Sequence, residues 1–315
     1  MSSGRNIRDR IVGSTSTLVA AIAISALCWC LTGFSEPSNW AGFGAAITAM
    51  ASLRCMVNGN ALMRVRTWMV PSVFIVLCGM SWETHRLNAP MIGAACYALS
   101  QYFLFKSYQD YHAERRVVIA FTLLSAGSLF FPPLIYLGVA YYAALLIQLR
   151  AMTLRTLLAG LFGLMMPLEF YAGAAFLSGH GELLYAYTDA LTGFEAPSLP
   201  QWSLTQWISA GLMTVLFVWT GLHFFFTSFN DKIRVRMCFY VIIVQCTLLY
   251  AALALQPRLF NSLLPFMVLE SSPLIGHYLA FAKGRMSAAG FTLIFIMVLA
   301  VITFNALWNN SLLSF

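Results

Sequence analysis

Charge is what this chain has least of. Only 9% of its 315 residues are Asp, Glu, Lys or Arg while 60% are hydrophobic, too few charges to cover a water-exposed surface. Hydrocarbon is the natural solvent for such a composition. The basic residues stand in short clusters between apolar runs and never form a stripe, so no nucleic-acid partner is expected. There is no disulfide framework either: Cys28, Cys30, Cys78, Cys96, Cys238 and Cys246 fall inside apolar runs, and Cys55 lies at the edge of one. The five histidines include no pair at metal-ligand spacing, so neither metal nor cofactor is expected. Phosphate-binding glycine loops, nucleophile elbows, zincin helices and internal repeats are all missing. That absence is weak evidence, because membrane enzymes assemble sites from separated loops.

What the chain does have is apolar runs, and 115–167 shows how they alternate. Arg115 and Arg116 lead into a run that ends at Pro132–Pro133, a second run reaches Leu149, and Arg150 and Arg155 precede a third. Arginines on one side and uncharged turns on the other are what a membrane-threading chain needs. Extended along the chain, this reading gives runs at 11–34, 40–54, 67–82, 89–105, 117–131, 134–149, 156–177, 207–227, 237–255, 260–281 and 288–307. The expectation is a single all-α, polytopic helical membrane domain over 1–315 with about eleven transmembrane helices, within a range of ten to twelve.

Two boundaries need argument. The first run is longer than a signal-peptide core of about 7–15 residues, and Phe34-Ser35-Glu36-Pro37 is no small-residue cleavage site, so it reads as a retained helix. If 117–149 were one helix, its roughly 33 residues would reach about 50 Å, too long for a hydrocarbon core of about 30 Å. A hairpin at Pro132–Pro133 is preferred over a kinked helix. Residues 106–116 read as a cytoplasmic connector. Residues 178–206 read as an extracytoplasmic acidic loop, with Glu182, Asp189 and Glu195 and neither Lys nor Arg.

The basic residues test the count. Threaded from a cytoplasmic N-terminus, eleven passes put sixteen of the 18 Lys and Arg inside and leave only Arg86 and Arg258 outside, with the C-terminus outside. A count wrong by one would mix the sides. Trp40, Trp82, Trp202, Trp207 and Trp308 then fall at the outer interface and Trp68 at the inner one, as an aromatic belt requires.

Two carboxylates lie within the runs. Glu270 stands near the predicted midplane, followed by Ser271, Ser272 and Pro273, with His277 seven residues on and so on the same face. Together they suggest a proton or cation relay; the competing reading is a protonated acid bonded to a neighbouring helix. Glu169 lies in the outer half of its helix and can pair with Arg258, which otherwise contacts an external anion or snorkels as an anchor. His180, between Gly179 and Gly181, is a further external candidate, expected to be solvated. The small-residue patches at Ser125–Ser128 and Gly160–Gly163 are expected to serve close helix packing.

Ser107-Tyr108-Gln109, Ala120-Phe121, Gly127 through Pro133, Arg155-Thr156 and Gly163 through Pro167, with Asn58 to Arg66, resemble a family of multi-pass inner-membrane proteins of unknown function found in Bacteroidetes-type bacteria. The resemblance covers the middle third to half of the chain through loose motifs. It implies a bacterial inner (plasma) membrane and brings no activity or catalytic residue. Three functions stay open. A non-enzymatic envelope component or scaffold, with membrane lipid and other membrane proteins as partners, is preferred for the sparse charge and small loops. A lipid-linked glycan transferase or polymerase acting at the outer leaflet would use Arg258, His180 and Glu169, but it lacks the acidic first external loop and the arginine-rich external loop of such enzymes. A proton-coupled transporter would use Glu270, though no repeat supports it.

Overall fold

Apolar side chains put the backbone in hydrocarbon, where every N–H and C=O must be satisfied within its own segment, and the helix is the local solution. The computed structural model describes residues 14–33, 36–65, 67–81, 84–194, 202–281 and 285–313, and among them every regular element is helical. In chain order these are α1 (Thr15–Gly33), α2 (Pro37–Gly59), α3 (Met69–Met80), α4 (Ala89–Phe105), α5 (Glu114–Ser128) and α6 (Leu137–Ile147). They are followed by α7 (Leu154–Leu177), α8 (Glu182–Thr192), α9 (Leu204–Thr227), α10 (Ile233–Leu255), α11 (Phe260–Phe281) and α12 (Arg285–Leu313). Arg5, Arg8, Arg10, Arg66, Trp82, Glu195 and Lys283 lie outside the described residues.

Local sequence sets the helix ends. Pro37 and Pro90 occupy first-turn positions of α2 and α4, where a missing N–H costs nothing. Thr153 with Thr156 and Ser203 with Gln206 form reciprocal capping boxes at the starts of α7 and α9. The second run, expected at 40–54, is longer because the helix starts directly after Glu36 and continues to Gly59. The acidic segment expected as a loop contains α8, which buries no residue. Tyr136 donates to the Leu191 carbonyl at 2.9 Å and Ser128 pairs with Tyr187 at 3.0 Å, holding α8 against the α5–α6 turn.

The double proline makes a turn. After α5 the chain passes through a 3-10 helix at Pro132–Tyr136 and returns as α6, whose end meets the 106–113 connector through Gln109 N–H to the Leu149 carbonyl at 2.8 Å. Phe121 on α5 lies 4.6 Å from Tyr142 on α6. Gly163 of α7 fits against the same helix, since a Cβ there would lie 2.6 Å from the Val118 carbonyl oxygen.

Among the described residues six helices are long and apolar enough to cross a membrane by length and composition: Pro37–Gly59, Leu154–Leu177, Leu204–Asn230, Ile233–Leu255, Pro257–Phe281 and Ala289–Trp308. Thr15–Leu31, Met69–Met80, Ala89–Phe105 and Pro132–Ile147 are apolar but of 10–17 residues, and α5 begins with Glu114, Arg115 and Arg116. The all-helical membrane class therefore stands, while a count of about eleven does not follow from helix length. The connections fall into two groups. At one end Arg64 meets Asp231, Arg234 meets Asn60 and the Phe105 carbonyl, and Gln109 meets Leu149. At the other, Leu87 meets Ser38, Trp29 donates to the His85 carbonyl, Arg258 reaches Gly193 and Trp202 reaches Pro257.

α11 is the centre of the bundle. It packs against α3, α4, α9 and α10, and 83% of its apolar window is inside the molecule, against 11% for α7.

Candidate functional site

The most polar part of this interior sits on its most buried helix. Glu270 is fully buried between Pro265 and Pro273, the two prolines inside α11. Gln101 on α4 donates from Nε2 both to Glu270 Oε1 and, at 2.6 Å, to Gln245 Oε1 on α10. The Tyr97 hydroxyl donates to Gln245 Oε1 at 3.1 Å. Gln101 Oε1, Gln245 Nε2 and Glu270 Oε2 are buried without a hydrogen-bond partner among the described residues. One amide, that of Gln101, thus ties α4, α10 and α11 together. Ser271 reaches Cys246 Sγ at 3.5 Å, and Ser272 bonds back to the Val268 carbonyl at 2.6 Å. Neither serine connects Glu270 to His277.

His277 belongs to a different cluster. Its Nε2 lies 3.1 Å from Asp231 Oδ2, and Asp231 Oδ1 accepts from Arg64 Nε at 2.6 Å. Phe224, Phe239 and Phe281 surround the imidazole with ring centres at 4.9–5.2 Å. Burial alone would raise the Asp231 pKa, but hydrogen bonds from His277 and Arg64 outweigh it and hold the carboxyl below its usual range. The structure therefore separates the residues that the sequence grouped as one relay. Asp231, Gln101, Gln245 and Tyr97 were not among the sequence candidates. The signals were present as amides within apolar runs and as a lone acid beside Lys232, Arg234 and Arg236.

At the other end Arg258 donates to the Gly193 carbonyl rather than to Glu169, which is exposed on the outer helix α7. His180 is exposed, with Nδ1 2.8 Å from the nearby Ser178 carbonyl. Three external candidates do not converge. Arg258 instead lines a cavity of about 540 Å³ with Asp189, Ser262, Pro132 and Pro133. Phe131 at its wall stacks on Phe266 at 5.4 Å, and Phe266 meets Tyr97 at 5.9 Å, so an aromatic column leads from this cleft to the Glu270 cluster.

Two other cavities lie elsewhere in the bundle. An apolar groove of about 720 Å³ lies between α1, α3 and α12, with Ile275 and Leu279 on its floor. A cavity of about 580 Å³ lies in the α2–α3 connection. Glu270 lines none of the three. Among the described residues no group of three His, Cys, Asp or Glu side chains is placed to hold a metal ion.

No protein-family model, curated protein or solved structure matches the chain. Fold and site define a class: an all-helical membrane protein whose buried polar groups join helices to one another.

Proposed function

We propose that this chain is a multi-pass component of a bacterial inner membrane, threaded about eleven times with its N-terminus inside and C-terminus outside, and that it acts as a non-enzymatic envelope scaffold. One observation supports the scaffold reading: the buried Glu270 carboxyl takes up Gln101, whose amide also holds Gln245, so the group helps to join three helices, while His277 bonds to Asp231 instead. A relay acid needs water or substrate beside it. The sorting of the connections into two ends supports the threading, and the resemblance around Gly127–Pro133 supports the bacterial membrane.

Complementation of a deletion strain tests this. Glu270→Gln keeps the shape and an oxygen that accepts from Gln101, so it is expected to restore the wild-type phenotype at equal membrane expression. A well-expressed but inactive Glu270→Gln protein would sink the scaffold reading in favour of proton coupling.

A second reading rests on the external cleft. Arg258 and Asp189 share a cavity of about 540 Å³, which suits the phosphate and hydroxyls of a lipid-linked glycan. Under that reading Arg258→Ala and Asp189→Asn abolish a surface glycan while Glu270→Gln does not. Normal glycan in both cleft variants would remove it.

A further inference from the structure

The cavity in the α2–α3 connection takes part in neither reading. Arg54, Asn58, Arg64, Thr67 and Trp68 are among its lining residues, and among the described residues that line it there is no carboxylate. Two arginines therefore face one space of about 580 Å³.

Each arginine is held in place by a contact that leaves donors over. The Arg54 guanidinium carbon stands 3.8 Å above the centre of the Trp68 ring, and such stacking occupies the flat face while the N–H groups point outward in the plane. Arg64 binds Asp231 through Nε at 2.6 Å, and a guanidinium carries two further terminal nitrogens. Asp231 also takes the hydrogen bond of His277, so one acid behind the wall serves two bases. Asn58 adds an exposed amide at the rim. Positive charge is in excess at a concave site, and its groups are fork-shaped donors matched to tetrahedral oxyanions.

We infer that this cavity binds a phosphate ester. Its place in the fold, at the arginine-rich end of the bundle beside an interfacial tryptophan, admits two sources with the same chemistry: an anionic phospholipid headgroup or a soluble phosphate compound.

The test uses the full-length protein in detergent, with phosphatidylglycerol adducts counted by native mass spectrometry and inorganic phosphate titrated by calorimetry. Arg54→Gln removes a charge from an exposed side chain, and Asn58→Asp places a negative charge at the rim. At least one probe is expected to bind, and each substitution to weaken it about fivefold or more, the worth of one basic residue near a phosphate surface. Binding of phosphatidylglycerol alone identifies a headgroup site, and binding of inorganic phosphate identifies a soluble ester; both uphold the inference. Melting temperatures check the fold, and should Arg54→Gln melt early, Arg54→Lys, which loses the fork but keeps the charge, takes its place with a smaller expected loss. Failure of both probes to bind, or binding unchanged in both variants, overturns it.

Discussion

At the residue scale the decisive groups are those whose burial leaves them one set of partners. Gln101 serves both Glu270 and Gln245, so Gln101→Leu strands the buried Glu270 oxygen, leaves Gln245 Oε1 with Tyr97 alone, and is expected to cost about 1–3 kcal/mol of stability, measured by unfolding in mixed micelles. Glu270→Gln is expected to leave that stability nearly unchanged. His85 gives the pH-dependent counterpart. It sits buried in the connection between α3 and α4, 4.1 Å from the Trp29 ring, and burial lowers its pKa from 6.5 to about 4. The unfolded chain binds the proton more readily, so stability falls as pH drops from 6.5 towards 4, by up to about 3 kcal/mol. His85→Phe keeps the ring and removes the titration; a melting temperature that drops as steeply between pH 7 and pH 4.5 in this variant would contradict the assignment. Asp231 acts in a lower window. With its folded pKa below the usual carboxylate value, its contribution is full above about pH 4 and disappears as pH falls through the folded value. The sequence showed that Glu270 was buried and polar. It could not show that His277 turns to Asp231, since a seven-residue spacing fixes a shared face and leaves the neighbouring helix undetermined.

At the scale of elements, the clearest case is α7. Its apolar window is only 11% buried, so its place depends on a narrow seam with α5. Gly163 forms that seam, with a Cβ there meeting the Val118 carbonyl oxygen at 2.6 Å and Phe121 Cβ at 2.9 Å, while Gly173 one face away has open space. Gly163→Ala is therefore expected to destabilise by about 1–3 kcal/mol, and Gly173→Ala to have little effect. Equal melting temperatures for the two would show that the seam yields. The small-residue patch and the proline hairpin were legible because each is a local rule of sterics. α8 was not, because the acids of 178–206 and its lack of basic residues mark only a polar segment, while its helix lies on the α5–α6 turn through Tyr136 and Tyr187, contacts distant in sequence.

For the whole molecule the open quantity is the threading, and the helices and the arginines weigh differently on it. If only the six long apolar helices crossed, the count would be even and the C-terminus would share the side of the N-terminus. Arg64, Arg115, Arg116 and Arg150 would then stand opposite Arg5, Arg8 and Arg10, against the strong preference of basic residues for the cytoplasmic side. Eleven crossings place all seven together. That threading needs α1, α3, α4, α5 and α6 to cross as well, and their packing on one another and on α2, α7, α10 and α11 covers part of their surface with protein rather than lipid. Reporter fusions separate the two threadings at three positions at once. With eleven crossings an alkaline phosphatase reporter is active after residue 194 and after residue 315, and inactive after residue 231. With six, all three results invert. A mixed outcome, active after 194 but inactive after 315, would keep the outer face of α8 and place the error within α9 to α12.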